Sequence, residues 1–120
     1  MSSTIVCVPV RPDDQVDPRW GKAGSVAIAR LDGGAIAGWE VFPVGWGALH
    51  DEGTEGGHHA RIARFLMGHH VEVVVANHMG PPMQRMLEQM GLTVQLGAVG
   101  DARQAVLAVA PSAPGAGRPG

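Results

Sequence analysis

The sequence is poor in cysteine, in aromatic residues other than tryptophan, and in charge. Cys7 is the only cysteine, so the chain can form no internal disulfide and contains no Cys-x-x-Cys metal or redox motif. Tyrosine is absent and phenylalanine occurs twice, whereas there are three tryptophans, six methionines and six histidines. A single unpaired cysteine is typical of a protein in a reducing cytoplasm.

Two further absences exclude classes of partner. The formal net charge is -2, which lacks the basic excess that binding to nucleic acid or to an anionic membrane surface demands. No apolar run approaches the roughly 20 residues of a membrane-spanning helix, and residues 1–10 lack the basic start and long apolar centre of a signal peptide. We therefore expect a cytoplasmic protein with no nucleic acid and no membrane as partner.

What is present fits one small α/β domain. A chain of 120 residues is long enough to bury one core and too short for two. Residues 1–109 alternate between apolar strand-like runs and helical patterns. Residues 110–120 (APSAPGAGRPG) are too rich in Pro, Gly and Ala to pack, so we predict a disordered tail after a single domain at 1–109.

The order of the elements follows from the spacing of apolar residues. The β-branched run Thr4–Val10 predicts a buried strand, and Asp32-Gly33-Gly34 predicts a tight hairpin between the next two strands. Helical patterns then begin near His58, at Pro81 and at Asp101, and alternate with two further apolar strands. The predicted order is β-β-β-α-β-α-β-α, an α/β fold with a mixed five-stranded sheet and helices on its faces.

Three loops are predicted to meet at one edge of this sheet. They are the glycine-rich, irregular segment 45–57, residues 77–80 and residues 97–100, and each follows a strand and precedes a helix. In open α/β sheets, ligands bind outside the carboxyl ends of the strands, and helix N-termini present free N–H groups that favour anions. We therefore expect the three loops to form one anion-binding edge.

Four histidines fall in two of these loops or at the adjacent helix starts: His50, His58, His59 and His78. Neutral imidazole is a common ligand for Zn, Cu, Fe and Ni, and histidines from two loops can converge on one metal ion. Adjacent helical residues point about 100° apart, so we expect only one of His58 and His59 to face the site.

Other candidate ligands have a simpler structural interpretation. Met83, Met86 and Met90 have the spacing of a buried helical stripe, which favours core packing over a thioether copper site. Cys7 is predicted to be a small buried apolar residue, and a place near the end of its strand also makes it a candidate soft ligand. The pair His69–His70 is interpreted as the end of a helix.

The longer motifs resemble a known family. The segments IVCVPV, DPRWGKAGSVAI, EGTEGGHHARIARFL and VEVVVANHMGPPMQRMLEQMGLTV are similar to the dinitrogenase iron-molybdenum cofactor family, over about Thr4 to Val109. That family includes small carriers of nitrogenase cofactor precursors and single-domain proteins that hold molybdenum-copper sulfide clusters. The resemblance implies a ribonuclease H-like fold in which the first, third, fourth and fifth strands run the same way.

The resemblance also implies a set of site residues. The family pattern Phe-Gly-Arg-Ala corresponds to Trp20-Gly21-Lys22-Ala23, so a basic residue is retained at Lys22 to face an anion, although Lys lacks the bidentate fork of Arg. Arg19 stands where relatives often have His, which puts a metal ligand at that position in doubt. Backbone N–H groups near Gly57 and Gly80, with Lys22 and Trp20, would then surround an anionic cluster.

These observations predict a small binding or carrier protein and not an enzyme. It would hold a transition metal ion, or an anionic metal-sulfur cluster of the Mo/Fe or Mo/Cu type, through His58, His59 and His78, with His50 as a further ligand. An iron-sulfur cluster normally needs several cysteine thiolates, so one cysteine favours a preassembled cluster with its own sulfides. The expected partner is a cofactor-assembly or acceptor protein, and the expected state is a monomer or small homo-oligomer.

Two alternatives stay open. A mononuclear copper or zinc site would use the same histidines without sulfide. A metal-free regulatory or interaction module would instead expose Trp20, Trp39 and Trp46 as a partner surface. Catalysis is disfavoured because the first strand has no carboxylate for two-metal nuclease chemistry, and no nucleophile elbow, P-loop or zinc-protease helix is present.

Overall fold

The computed structural model describes residues 3–50 and 55–109, without the side chains of His50 and Glu55. In this part of the chain the strands are β1 (Ser3–Val10), β2 (Ser25–Asp32), β3 (Ala35–Pro43), β4 (Val73–Val75) and β5 (Thr93–Gln95). The helices are α1 (Trp46–His50), α2 (Glu55–Gly68), α3 (Pro81–Gln89) and α4 (Ala102–Leu107), and a 3-10 turn spans Trp20–Lys22.

The strands form one mixed sheet in the order β3-β2-β1-β4-β5. Strand β2 is antiparallel to both β1 and β3, whereas β1 pairs in parallel with β4, and β4 with β5. Strands β1, β3, β4 and β5 therefore run in the same direction, and their carboxyl ends lie at the same edge. The predicted mixed five-stranded sheet with helices is confirmed.

The sheet has helices on both faces. Alternate residues of a strand point to opposite sides, so one strand packs against both layers of helices. Val6, Val8 and Val10 of β1 pack in one core cluster with Ala102 and Val106 of α4. Cys7 lies in the other cluster, with Trp46 of α1, Ile62 and Leu66 of α2, and Met83 and Leu87 of α3. The central strand β1 is consequently buried on both faces, as its apolar sequence requires.

Local signals in the sequence correctly placed several turns and helix ends. Gly33 and Gly34 have φ angles of 63° and 87°, which the tight hairpin between β2 and β3 needs. The Asp101 carboxylate accepts a hydrogen bond from the backbone N–H of Gln104 at 3.0 Å and so caps α4. Pro81 occupies the first position of α3, where its missing N–H has no helical partner to lose.

The segment 45–57, predicted to be irregular, is partly helical, and this prediction is wrong. Helix α1 forms within it, and α2 begins at Glu55 and not near His58. Trp46 is 2% exposed, with its ring centroid 5.2 Å from that of Trp20 and 5.8 Å from that of Phe65. Burial of this one large side chain orders a segment whose glycine content favours a loop.

The predicted tail, residues 110–120, lies outside the described residues. Among residues 3–50 and 55–109, every helix is too short or too polar to cross a bilayer.

Candidate functional site

A pocket of about 420 Å³ lies among three segments that follow strands of the sheet. Residues 18–22 come after β1, residues 58–59 belong to the first part of α2, and residues 78–83 connect β4 to α3. Since β1 and β4 are parallel neighbours, their carboxyl ends bring the first and third segments together. This is the crevice in which α/β sheets commonly bind ligands.

Most of the residues that the sequence suggested for a site line this one pocket: His58, His59, His78, Gly80, Lys22 and Trp20. Gly57 lies in the first turn of α2 but does not line the pocket, and Cys7 does not line it either. The side chain of His50 lies outside the described part of the structure. The assignment of these residues as ligands stays a prediction.

The third predicted loop does not contribute to this pocket. Gly97, Ala98 and Val99 line a different pocket of about 390 Å³, together with residues of α4. Strand β5 is the edge of the sheet, and α4 packs on the face opposite α2 and α3. The three loops thus lie at the carboxyl edge of the sheet, as predicted, but the third lines a separate pocket, because α4 packs on the face opposite α2 and α3.

His58 is a buried side chain, 3% exposed. Its Nε2 lies 2.7 Å from the carbonyl oxygen of Gly21, and its Nδ1 lies 2.9 Å from Nη1 of Arg61. A carbonyl only accepts and a guanidinium only donates, so Nε2 carries the proton and Nδ1 is the acceptor. Both ring nitrogens are thereby engaged, and His58 has no nitrogen lone pair left for a metal ion in this arrangement.

His59 and His78 differ from His58 in exposure. His59 is half-buried and His78 is exposed, and both line the pocket from different segments. Within residues 3–50 and 55–109, no three His, Cys, Asp or Glu side chains lie close enough to hold one metal ion. The described side chains alone thus provide no mononuclear metal site.

Cys7 occupies the core and not the site. It is fully buried in the cluster beneath α2 and α3. Burial raises the pKa of the Cys7 thiol far above its usual range, because the apolar surroundings disfavour the thiolate. The interpretation of Cys7 as a small apolar core residue is confirmed, and the thiolate needed for metal binding is strongly disfavoured.

Trp20 forms one wall of the pocket while being 2% exposed. Among the described residues, its Nε1 is the buried side-chain nitrogen or oxygen that has no hydrogen-bond partner. Leaving such a group unpaired costs about 1–3 kcal/mol. The alternative of an exposed tryptophan surface is wrong, because Trp46 is also 2% exposed and Trp39 packs on the other face of the sheet.

The two formally charged side chains that line the pocket, Arg19 and Lys22, are both basic. They line it together with the three imidazoles, and none of its described lining residues is Asp or Glu. Met79 and Met83, each 5% exposed, add polarizable thioether surface. A basic wall with a soft apolar part suits an anion whose outer atoms are polarizable.

The start of α3 contributes less to anion binding than the sequence suggested. Gly80 is the N-cap of this helix and lines the pocket. Pro81 and Pro82 occupy the first two helical positions and have no N–H groups, so Met83 carries the first free one inside the helix. The helix dipole is retained, but two of the usual donors are missing.

Sequence reasoning did not assign six of the residues that line the pocket: Pro18, Arg19, Gly21, Met79, Pro82 and Met83. Arg19 was considered only as a position where a histidine ligand is missing, although a basic residue beside Trp20-Gly21-Lys22 is itself a signal for an anion. The methionine stripe was assigned to the core, and Met83 both packs there and reaches the pocket.

The fold and the site define a small α/β protein with a basic pocket at the carboxyl ends of its strands. The chain belongs to the dinitrogenase iron-molybdenum cofactor family, whose model matches residues 2–111. No curated protein sequence is significantly similar to it.

Solved structures that share the fold include the following three. PH0822 has 18% sequence identity and a TM-score of 0.71, covering 88% of this chain and 87% of that chain. The apo form of the orange protein from Desulfovibrio gigas has 23% identity and a TM-score of 0.64, covering 86% and 83% of the two chains. A NifB-like protein from Thermotoga, TM1290 of the DUF35 family, has 22% identity, a TM-score of 0.64, and coverage of 86% and 84%.

Proposed function

We propose that this protein is a small non-enzymatic carrier that holds an anionic metal-sulfur cluster in the 420 Å³ pocket. Family membership supports a cofactor-binding role. The volume is in the range of small-ligand sites, about 300–1,000 Å³. The cluster is cargo in this proposal: it arrives assembled, is held, and is passed to an acceptor protein.

The observation that carries the proposal is the one-sided charge of the pocket wall. Arg19 and Lys22 face a site whose described lining has no carboxylate. Lys22 and Arg19, the latter partly neutralised by Asp17, would disfavour a bare metal cation, whereas a cluster coated with its own sulfides would bring negative charge to this wall. Sulfides supplied by the cluster also replace the cysteine thiolates that the chain lacks.

Individual roles follow from position. Lys22 would neutralise charge, and Trp20 with Met79 would contact the cluster's sulfur surface. His59 and His78 would complete the wall as hydrogen-bond donors or ligands, while His58 holds the start of α2 against the 3-10 turn.

The test uses the full chain, purified without a tag and mixed with ammonium tetrathiomolybdate, alone and with copper(I). After gel filtration, we expect about one cluster per chain, measured as molybdenum by elemental analysis and as sulfide-to-metal charge-transfer absorption. Lys22→Gln should lower the retained molybdenum. A chain that elutes free of molybdenum under both conditions contradicts the carrier proposal.

The mononuclear alternative predicts a different outcome. Copper or zinc would then be retained without sulfide, and His59→Ala and His78→Ala would each abolish retention. His70→Asn is the matched control, because it removes an exposed imidazole beyond the far end of α2. The lack of a three-ligand group in the described residues favours the cluster over the single ion.

The topology supports a finer classification, which we also propose: a ribonuclease H-like fold. The supporting features are the strand order β3-β2-β1-β4-β5 and the reversed direction of β2 alone. For location, we retain the reducing cytoplasm, where a sulfide-bearing cargo and a free thiol are both stable.

A further inference from the structure

Asp17 and Arg19 form an ion pair at the wall of the pocket. Asp17 is 3% exposed, and its Oδ1 accepts hydrogen bonds from the backbone N–H of Arg19 at 2.9 Å and from Arg19 Nε at 3.3 Å. The Arg19 side chain is 66% exposed, so a buried carboxylate holds an otherwise accessible guanidinium.

The carboxylate itself is fixed to the sheet. The backbone N–H of Asp17 donates to the carbonyl of Pro9 at 2.9 Å, and the preceding Val16 forms a β-bridge with Val10. Both anchoring residues lie at the carboxyl end of β1. The position of the Asp17 carboxylate is therefore set by the central strand and not by the loop around it.

Of the guanidinium nitrogens of Arg19, only Nε bonds Asp17. Nη1 and Nη2 have no hydrogen-bond partner among the described residues, and Arg19 lines the pocket beside Lys22. A guanidinium held at Nε keeps the planar fork of its two Nη groups, which can meet two acceptor atoms of one anion at once. An unanchored Arg would lose more side-chain entropy to reach the same geometry.

We propose that Arg19 is the residue that recognises the anionic cargo and that Asp17 is a positioning residue that holds its fork for two acceptor atoms. This inference rests on the proposed function and goes beyond it by assigning recognition to a residue pair. In this proposal, Arg19 serves the site without being a metal ligand, because its charge and paired hydrogen bonds take the place of a metal-ligand bond.

The negative charge of Asp17 and its positioning of Arg19 should affect anion binding in opposite directions, so a binding measurement can separate them. Asp17 places a negative charge beside Arg19, so by charge alone its removal should strengthen binding of an anion. If Asp17 acts by positioning, its removal should weaken binding, because the fork loses its anchor. The sign of the change in Kd therefore decides the role of Asp17.

The experiment titrates the full chain with tetrathiomolybdate and compares Kd for wild type, Arg19→Gln, Arg19→Lys, Asp17→Ser and the double variant with both Asp17→Ser and Arg19→Gln. Loss of one charge-assisted bidentate contact should weaken binding about 10-fold to 100-fold in Arg19→Gln. The Kd of Arg19→Lys should lie between those of wild type and Arg19→Gln, because lysine keeps the positive charge but lacks the planar fork of the guanidinium. Asp17→Ser retains an acceptor for the backbone N–H of Arg19, and it should weaken binding only when Arg19 is present.

The control pair lies in the same loop. Arg11 and Asp13 make an ion pair of the same spacing at 3.0 Å, but neither lines the pocket, so Arg11→Gln and Asp13→Ser should leave Kd unchanged. Circular dichroism and the unfolding midpoint of each variant report folding separately from binding. If Asp17→Ser does not fold, Arg19→Lys and Arg19→Gln still test recognition, and Asp17→Asn tests positioning.

Each outcome has one meaning. If wild type itself does not bind the probe, the proposed function fails. If wild type binds and Arg19→Gln binds equally well, Arg19 is not the recognition residue. Unchanged or tighter binding by Asp17→Ser, or an equal loss in the Arg19→Gln background, overturns the positioning role.

Discussion

Gly47 controls how closely α1 approaches the 3-10 turn that carries Trp20 and Lys22. A Cβ at this position would stand 2.8 Å from the carbonyl oxygen of Lys22, closer than packed atoms tolerate. That oxygen belongs to the backbone, so it cannot swing aside as the end of a side chain could. The missing side chain thus allows the pocket wall and α1 to share one core.

Gly47→Ala should consequently destabilise the protein. Overpacking of this kind costs about 1–3 kcal/mol, and here it also pushes on Lys22 at the pocket. Urea unfolding measures the loss. Gly56→Ala is the matched control, since a Cβ there meets no atom within 4 Å and alanine favours a helix. Equal stability of the Gly47 variant and wild type would refute the close contact.

At the scale of single elements, the end of α2 depends on His70. This residue has a φ of 57°, and the backbone N–H of the next residue, Val71, donates to the carbonyl of Leu66 at 3.0 Å. This bond closes the helix with a left-handed residue, a position that glycine fills without steric cost. The interpretation of His69–His70 as a helix end is confirmed.

The free energy of unfolding should decrease in the order Gly, His, Val for the residue at position 70. Glycine relieves the left-handed strain, which costs about 1–2 kcal/mol. It also raises the conformational entropy of the unfolded chain, so the net gain in stability should be below about 1 kcal/mol. Valine, branched at Cβ, should lose at least about 1 kcal/mol. Thermal unfolding of the three proteins tests the order, and an unchanged midpoint for valine would contradict it.

Sequence patterns located elements best where local and tertiary forces agree. The hairpin at Gly33–Gly34, the cap at Asp101 and the prolines of α3 are local features, so each was predicted correctly. Helix α1 was missed because its stability comes from contacts of Trp46 with Trp20 and Phe65, which are distant in sequence. No pattern within residues 45–57 contains that information.

At the scale of the whole molecule, we propose that residues 110–120 contribute nothing to the folded unit. Their sequence is too rich in Pro, Gly and Ala to pack, and Val109 is the last residue of the core clusters that the described residues form. A chain that ends at Val109 should therefore unfold at the same urea concentration as the full chain.

Val106 and Val109 provide the control for this truncation. They are 0% and 3% exposed and pack against the sheet through α4. A chain that ends at Ala105 should lose roughly 3 kcal/mol or more, because each buried valine contributes about 1.5–3 kcal/mol. A measurable loss on removing residues 110–120 alone would mean that the tail stabilises the domain.

The sequence by itself determined the strand and most helix positions, the mixed five-stranded sheet, and the meeting of His58, His59, His78 and Lys22 near one edge. These depend on apolar periodicity and on strand direction, which are local or topological. Tertiary structure decided what each side chain does there: it engaged both nitrogens of His58, sent the loop before α4 to another pocket, and anchored Arg19 on buried Asp17. These roles depend on tertiary contacts: His58 bonds the carbonyl of Gly21, 37 residues away, and the Asp17 backbone that positions the bond to Arg19 is fixed on Pro9 of β1.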